Sequence, residues 1–227
     1  GSKISCARPQ PKSGRITHAG EILAERTIDP GFADGPERVL DRLAQLFRRL
    51  GLGVGDRIAL MLENHPRYFE ICWAAQRAGI VYTAISSRLT AGEAAYIVGD
   101  CGAKVFISSM ALASLAGELR TRTPAVHTRL MLDGVIDGFD AYETAVAGCP
   151  AGPIADQSAG GDMLYSSGTT GRPKGVFVPP ESTDIAYVNS LLKVCIGPFG
   201  MGADTVYLSP GPLYHAAPLR FAMAVMR

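Results

Sequence analysis

The chain has 227 residues, 47% of them hydrophobic, with 22 basic against 21 acidic side chains. That length and composition suit a globular chain of one to two domains with a substantial core. The near-even charge balance argues against a broad nucleic-acid surface or a polybasic membrane patch, so any anion site must be local.

No uninterrupted apolar run approaches the roughly 18 residues of a membrane helix, and no cationic start precedes an apolar stretch. The five cysteines, Cys6, Cys72, Cys101, Cys149 and Cys195, are scattered and form no CxxC or Cys/His cluster. Reduced thiols in a cytoplasmic protein fit that pattern best, and zinc does not. Gly1-Ser2, without a methionine, reads as a tag-cleavage scar.

Residues 1–19 are polar and proline-containing, which predicts a flexible lead-in before a single unit over 20–227. Over 36–50, Val39, Leu40, Leu43, Ala44, Phe47 and Leu50 recur at helical spacing opposite arginines, and Gly51 stops the helix. Gly51, Gly53 and Gly55 follow a helix and enter a strand over 57–62, the reverse of a dinucleotide loop, so they read as a structural turn. Asn64 is placed as the cap of a helix to about 78, with Pro66 in its first turn. A strand over 80–84 follows, then a helix opened by the Thr90/Glu93 capping box, then a strand over 104–108.

Further units are a helix near 111–120, a strand near 129–133 and a helix near 139–147. A Gly/Pro/Ala-rich connection over 147–161 leads to a strand at 163–166. Beyond it lie a β-like run at 176–178, a helix over 182–194 capped by Ser182, a strand over 204–208 and a helix starting at Leu219. The expected fold class is α/β, with alternating strands and helices forming largely parallel sheet layers.

The segment Ser166-Ser167-Gly168-Thr169-Thr170-Gly171-Arg172-Pro173-Lys174-Gly175 gathers four hydroxyls, three glycines and a lysine directly after an apolar run. Glycines permit close backbone approach to an anion, the hydroxyls add donors, and Pro173 stiffens the stem that presents the Lys174 ammonium. Polyphosphate binding is the chemistry this composition suits. It is not a P-loop, because Arg172 and Pro173 separate the last loop glycine from the lysine, and GxGxxG is absent. No nucleophile elbow accompanies the histidines, so a Ser/His/Asp hydrolase is not indicated.

This run resembles, almost residue for residue, the Ser/Thr-Ser-Gly-Thr-Thr-Gly-x-Pro-Lys-Gly signature of the adenylate-forming superfamily of acyl-CoA synthetases, aryl-CoA ligases, luciferases and peptide-synthetase adenylation domains. Gly53-Val54-Gly55-Asp56-Arg57, Leu89-Thr90-Ala91-Gly92-Glu93, Asp100-Cys101-Gly102-Ala103-Lys104 and Pro212-Leu213-Tyr214-His215 extend the likeness in the family's order from about residue 20 onward.

The resemblance implies the amino-terminal part of the large domain of an enzyme that converts a carboxylic acid, a fatty acid in the favoured reading, and ATP to acyl-AMP, then transfers the acyl group to coenzyme A. It assigns Ser166, Ser167, Thr169 and Thr170 as hydroxyl donors to phosphate, Gly168 and Gly171 to close backbone approach, and Lys174 to the outer phosphates. It places Thr170 at a Mg2+-bridged phosphate and His215 in the carboxylate pocket, with Arg172 facing solvent and Tyr165 and Tyr214 as packing groups. Such enzymes continue with an adenine-binding strand, a Tyr-Gly-x-Thr-Glu segment, a ribose-binding aspartate and a small domain carrying the adenylation lysine. None of these is in the sequence, so the expectation is an incomplete, inactive fragment. Two alternatives stay open: an adenylation domain that loads a carrier protein, and a non-catalytic binding module.

Overall fold

The computed structural model describes residues 12–16, 22–27, 35–166 and 172–227. In chain order the elements are β1 (Lys12–Ile16), β2 (Ile22–Thr27), α1 (Pro36–Arg49), β3 (Arg57–Met61), α2 (Arg67–Arg77), β4 (Val81–Ala84), α3 (Ala91–Asp100) and β5 (Val105–Ser109). After a 3-10 turn (Met110–Leu112) come α4 (Ala113–Arg122), β6 (Thr128–Leu132), β7 (Asp140–Ala141), α5 (Tyr142–Ala147), β8 (Gly161–Ser166), β9 (Lys174–Phe177), α6 (Ser190–Ile196) and α7 (Ala216–Met226). Strands β1 and β2 form an antiparallel ribbon. Regular structure thus starts earlier than the polar composition of the lead-in indicates, since backbone pairing does not require an apolar side-chain pattern.

The remaining strands form one sheet in the order β7-β6-β5-β3-β4-β8-β9. All neighbours are parallel except β8 and β9. The chain steps from β3 to β4 on one side and then crosses to β5 on the other, a doubly wound order whose reversal lies between β3 and β5. Crevices for ligands in such sheets open at the carboxyl ends of the strands.

Both faces of the sheet are covered, which is why its central strands read as continuous apolar runs. Ile58 and Leu60 face a core built with α1, α2, α5 and α7, through Leu43, Phe47, Ile71, Tyr142, Leu219 and Met223. Ala59 and Met61 face a second core with α3 and α4, through Ile97, Val98, Ala116 and Leu119. Gly51 and Gly55 take φ near +80°, a left-handed conformation that suits glycine, at the turn leading into β3. The four described cysteines are free and buried.

Three local expectations fail. Asn64 does not cap α2; Pro66 occupies that position without a side-chain cap bond. No helix starts at Ser182, because its hydroxyl accepts from the Asp184 N–H and the Asp184 carboxylate accepts from Ala186 N–H, local turns that compete with helical bonding. The helix starts at Ser190, capped by Asn189, whose side chain accepts from Leu192 N–H at 2.9 Å. Residues 204–208 pair with no strand among the described residues, and Val206 is 98% exposed. A β-rich composition makes a strand only where a neighbour completes the ladder.

Candidate functional site

The hydroxyl-rich signature sits on a hairpin. Strand β8 pairs with β4 only at Gly161 and Asp162, then turns to antiparallel pairing with β9, in which Ser166 lies opposite Lys174. Ser166 is therefore at the carboxyl end of a strand that runs parallel to β3, β4 and β5. Both Ser166 and Lys174 are exposed, and the Lys174 ammonium has no hydrogen bond or ion pair among the described residues. Ser167, Gly168, Thr169, Thr170 and Gly171 lie outside the described residues.

Side chains brace the hairpin against α3. The Tyr165 hydroxyl donates to the Asp100 carboxylate at 2.5 Å, and Tyr96 donates to the other Asp100 oxygen at 3.4 Å. Partial burial and the bond to Asp100 push the Tyr165 phenol well above its ordinary pKa, so it stays a donor. Arg172 is exposed, as expected, and its guanidinium lies 5.3 Å over the Tyr96 ring, within cation–π range. Gly175 has its own geometric reason: a Cβ there would lie 2.8 Å from Tyr165 Cζ and 2.3 Å from Met163 Cε.

His215 occupies the N-cap of α7 with an exposed ring, set edge-on against Tyr214 at 4.6 Å between centroids. Its N–H donates to Pro212 O, and its carbonyl accepts from Leu219 N–H. Gly211 approaches α7 so closely that a Cβ would lie 2.5 Å from Pro218 Cγ. Buried Leu219 and Met223 hold the helix on the sheet, and the hydroxyl of Tyr82 contacts Met223 sulfur at 3.4 Å.

Two links that the sequence did not suggest tie this segment to the sheet. Asn64, just past β3, accepts from Leu213 N–H at 2.9 Å and donates to Gly211 O at 3.2 Å. Arg220 grips Asp162 with both ends of its guanidinium, at 2.8 Å and 2.5 Å. The pairing raises the pKa of Arg220. The Asn64 link thus sets the turn carrying His215 past the carboxyl end of β3, while Arg220 ties α7 to the start of β8.

Glu63, His65 and Asp133 also cluster at this edge. His65 Nδ1 accepts from Arg67 N–H, so the neutral ring carries its proton on Nε2 and donates to Asp133 at 3.1 Å. A metal ion would need that nitrogen's lone pair, and Glu63 already accepts from the Ser109 hydroxyl. The trio is a hydrogen-bonded brace between β3, β5 and β6.

A sequence profile of the family described as AMP-binding enzyme matches residues 37–227. The chain belongs to that family. A feruloyl-CoA synthase from Amycolatopsis sp is 30% identical over 217 residues, 94% of this chain and 38% of that protein. A long-chain-fatty-acid–CoA ligase from Thermus thermophilus is 33% identical over 200 residues, 87% and 35% respectively. Among solved structures, ATP-bound MatB from Rhodopseudomonas palustris superposes with TM-score 0.64 and 27% identity over 97% of this chain and 41% of that one. For the fold alone, a long-chain-fatty-acid CoA ligase described as putative, from the same organism, gives TM-score 0.71 at 19% identity over 82% and 46%. The chain spans well under half the length of the curated relatives it matches.

Among the described residues, no helix is long and apolar enough to cross a membrane.

Proposed function

We propose that this chain, over 20–227, is the amino-terminal portion of the large domain of a cytoplasmic acid–thiol ligase that makes acyl-AMP from a carboxylic acid and ATP and then an acyl-CoA. The observation that carries the reading is that Ser166 and Lys174 are exposed at the carboxyl end of β8, the Lys174 ammonium without an ion pair among the described residues, and that the exposed His215 turn is tied past the carboxyl end of β3. A fatty acid is the favoured substrate. Buried free thiols fit a reducing compartment.

In the first step a carboxylate oxygen attacks the α-phosphorus of ATP and the bond to the bridging oxygen of pyrophosphate breaks; the electron pair leaves with pyrophosphate. Coenzyme A sulfur then displaces AMP from the acyl carbon, losing its proton. Two anions must meet in the first step, so cationic and hydroxyl donors at the outer phosphates lower the barrier by neutralising charge that the leaving group gathers. Lys174, with Ser166, Ser167, Thr169 and Thr170, fills that role, and Gly168 and Gly171 admit the phosphate to the backbone N–H groups. His215 orients the carboxylate.

Mg2+ is assigned to Thr170 by resemblance alone. Ser166 and Lys174, at the loop end of the hairpin, present a hydroxyl and an ammonium in place of the carboxylates that a divalent cation favours, so no step is routed through the ion.

Titration of the 15N-labelled 227-residue chain with ATP tests the reading. ATP is expected to shift the Ser166 and Lys174 resonances, and Lys174→Ala to weaken binding by about tenfold or more, since one charged hydrogen bond contributes roughly 1.5–3 kcal/mol. Unchanged affinity in that variant refutes the phosphate role.

A further inference from the structure

We propose that Asn64 is a positioning residue for His215: its side-chain amide fixes the backbone at Gly211 and Leu213 and so sets where the imidazole stands on the carboxyl edge of the sheet. The inference rests on the proposed role of His215 at the acid.

A carboxamide has a donor end and an acceptor end, and here each meets its complement. Oδ1 accepts from the N–H of Leu213 and Nδ2 donates to the carbonyl of Gly211. These partners lie 149 and 147 residues along the chain, so the contact is tertiary and no local turn accounts for it. Asn64 has no local task either, since it does not cap α2.

The segment it grips needs fixing. On the approach side, residues 204–208 have no ladder partner among the described residues, and Val206 and Leu208 are exposed. Leu213 is the first residue of the turn to reach the core, its backbone N–H bonded to Asn64 as its side chain enters. From there only Tyr214 separates the gripped residue from His215, whose N–H closes back on Pro212 O. A shift at Gly211 or Leu213 is therefore handed directly to the imidazole.

Position, more than global stability, is what such a grip controls. Asn64 is exposed. Water can replace its bonds in a truncated variant, so the fold as a whole should barely register the loss, whereas the turn should move.

Asn64→Ala and Asn64→Asp separate these possibilities in the 227-residue chain. The first removes both bonds; the second keeps an acceptor for Leu213 N–H but sets a carboxylate oxygen against the Gly211 carbonyl. Three readouts are compared: amide exchange of Leu213, the His215 ring resonance assigned by its loss in His215→Gln, and the response of that resonance to octanoate in the presence of ATP. In Asn64→Ala, Leu213 exchange is expected to rise about two- to tenfold, as for the loss of one net neutral hydrogen bond. The His215 resonance should shift and its octanoate response should vanish, while the ATP-dependent shift at Lys174 persists. In Asn64→Asp the rise in Leu213 exchange should be smaller, with the His215 resonance still displaced.

Unaltered Leu213 exchange and an unmoved His215 resonance in a folded Asn64→Ala would overturn the proposal, and so would a normal octanoate response. Should the alanine variant not fold, the aspartate variant decides by the same readouts. If octanoate leaves His215 of the parent chain unaffected, the acid-pocket reading of that histidine falls, while the Asn64-dependent displacement of the ring still reports on the clamp by itself.

Discussion

The ion pair between Arg220 and Asp162 joins the helix that carries His215 to the strand that carries Ser166, so its loss should be measurable both as stability and as coupling. The Asp162 side chain is only 10% exposed and Arg220 is 40% exposed. Breaking a fully buried pair from one side costs about 3–5 kcal/mol, because the abandoned charge stays desolvated. Water reaches the arginine end here, so Arg220→Met should cost about 2 kcal/mol. For a chain of this size that is a fall in Tm of roughly 4–8 °C. Asp162→Asn combined with Arg220→Met removes the stranded carboxylate and should recover part of the loss, giving a coupling of about 1–2 kcal/mol in a double-mutant cycle by urea denaturation. A coupling below about 0.5 kcal/mol, within the scatter expected of independent sites, would show that the pair is a solvent-screened surface contact and does not tie α7 to β8.

Thr90 and Glu93 satisfy each other's backbone N–H at the start of α3, and Thr90→Ala should lower stability by about 1 kcal/mol in denaturant titration; a neutral result would remove the cap from the account. Gly175→Ala should push a methyl into the Tyr165 ring, costing about 1–3 kcal/mol locally, read as faster amide exchange in β8 and β9 with the α1–α2 core unchanged. Tyr165→Phe deletes the bond to Asp100 and should speed exchange in the same hairpin while the amides of β3 and β5 stay protected. Asp56 is held below its ordinary pKa, chiefly by its hydrogen bond to Lys104 at 2.6 Å, with Gly53 N–H assisting against a burial penalty. A depressed carboxylate stabilises the fold above its unfolded value, near 3.9, and that contribution is lost as pH falls through the folded value. Stability should therefore fall more steeply below about pH 4 in the parent than in Asp56→Asn, and parallel curves would refute the assignment.

What the sequence disclosed was local. The helix from Pro36 is written in the spacing of Val39, Leu43 and Phe47, and the α3 start in a capping box whose partners are three residues apart. The parallel sheet follows from alternating helical and apolar runs, because strands buried on both faces need no period-two pattern. Failures cluster where a residue's partner is remote. Asn64 sits before Pro66 as a cap would, yet its amide is committed to Gly211 and Leu213. Arg172 does face solvent, but its seat over the Tyr96 ring was not legible, because nothing near it in sequence is aromatic. Ser182 failed for a local reason instead: it carried the residue type of a cap but spent its hydroxyl on a turn with Asp184. The strand composition over 204–208 had no ladder to join among the described residues.

The two halves of the proposed site are held by different physics. Strand β3 is buried on both faces, and the chain leaving it anchors the His215 turn through Asn64 while Leu219 and Met223 pin α7 on the core. The signature hairpin leaves that ladder after Asp162 and leans on α3 through a phenol–carboxylate bond and a guanidinium stacked on a ring. Side-chain props at an exposed edge open more readily than a buried ladder. Under the proposed function, a hairpin that grips a polyphosphate and later releases pyrophosphate gains from props that can give, whereas the acid must be held in line for attack. Under the proposed function, then, changes at Tyr96 and Asp100 should alter ATP binding with little effect on the acid, and changes at Asn64 the reverse.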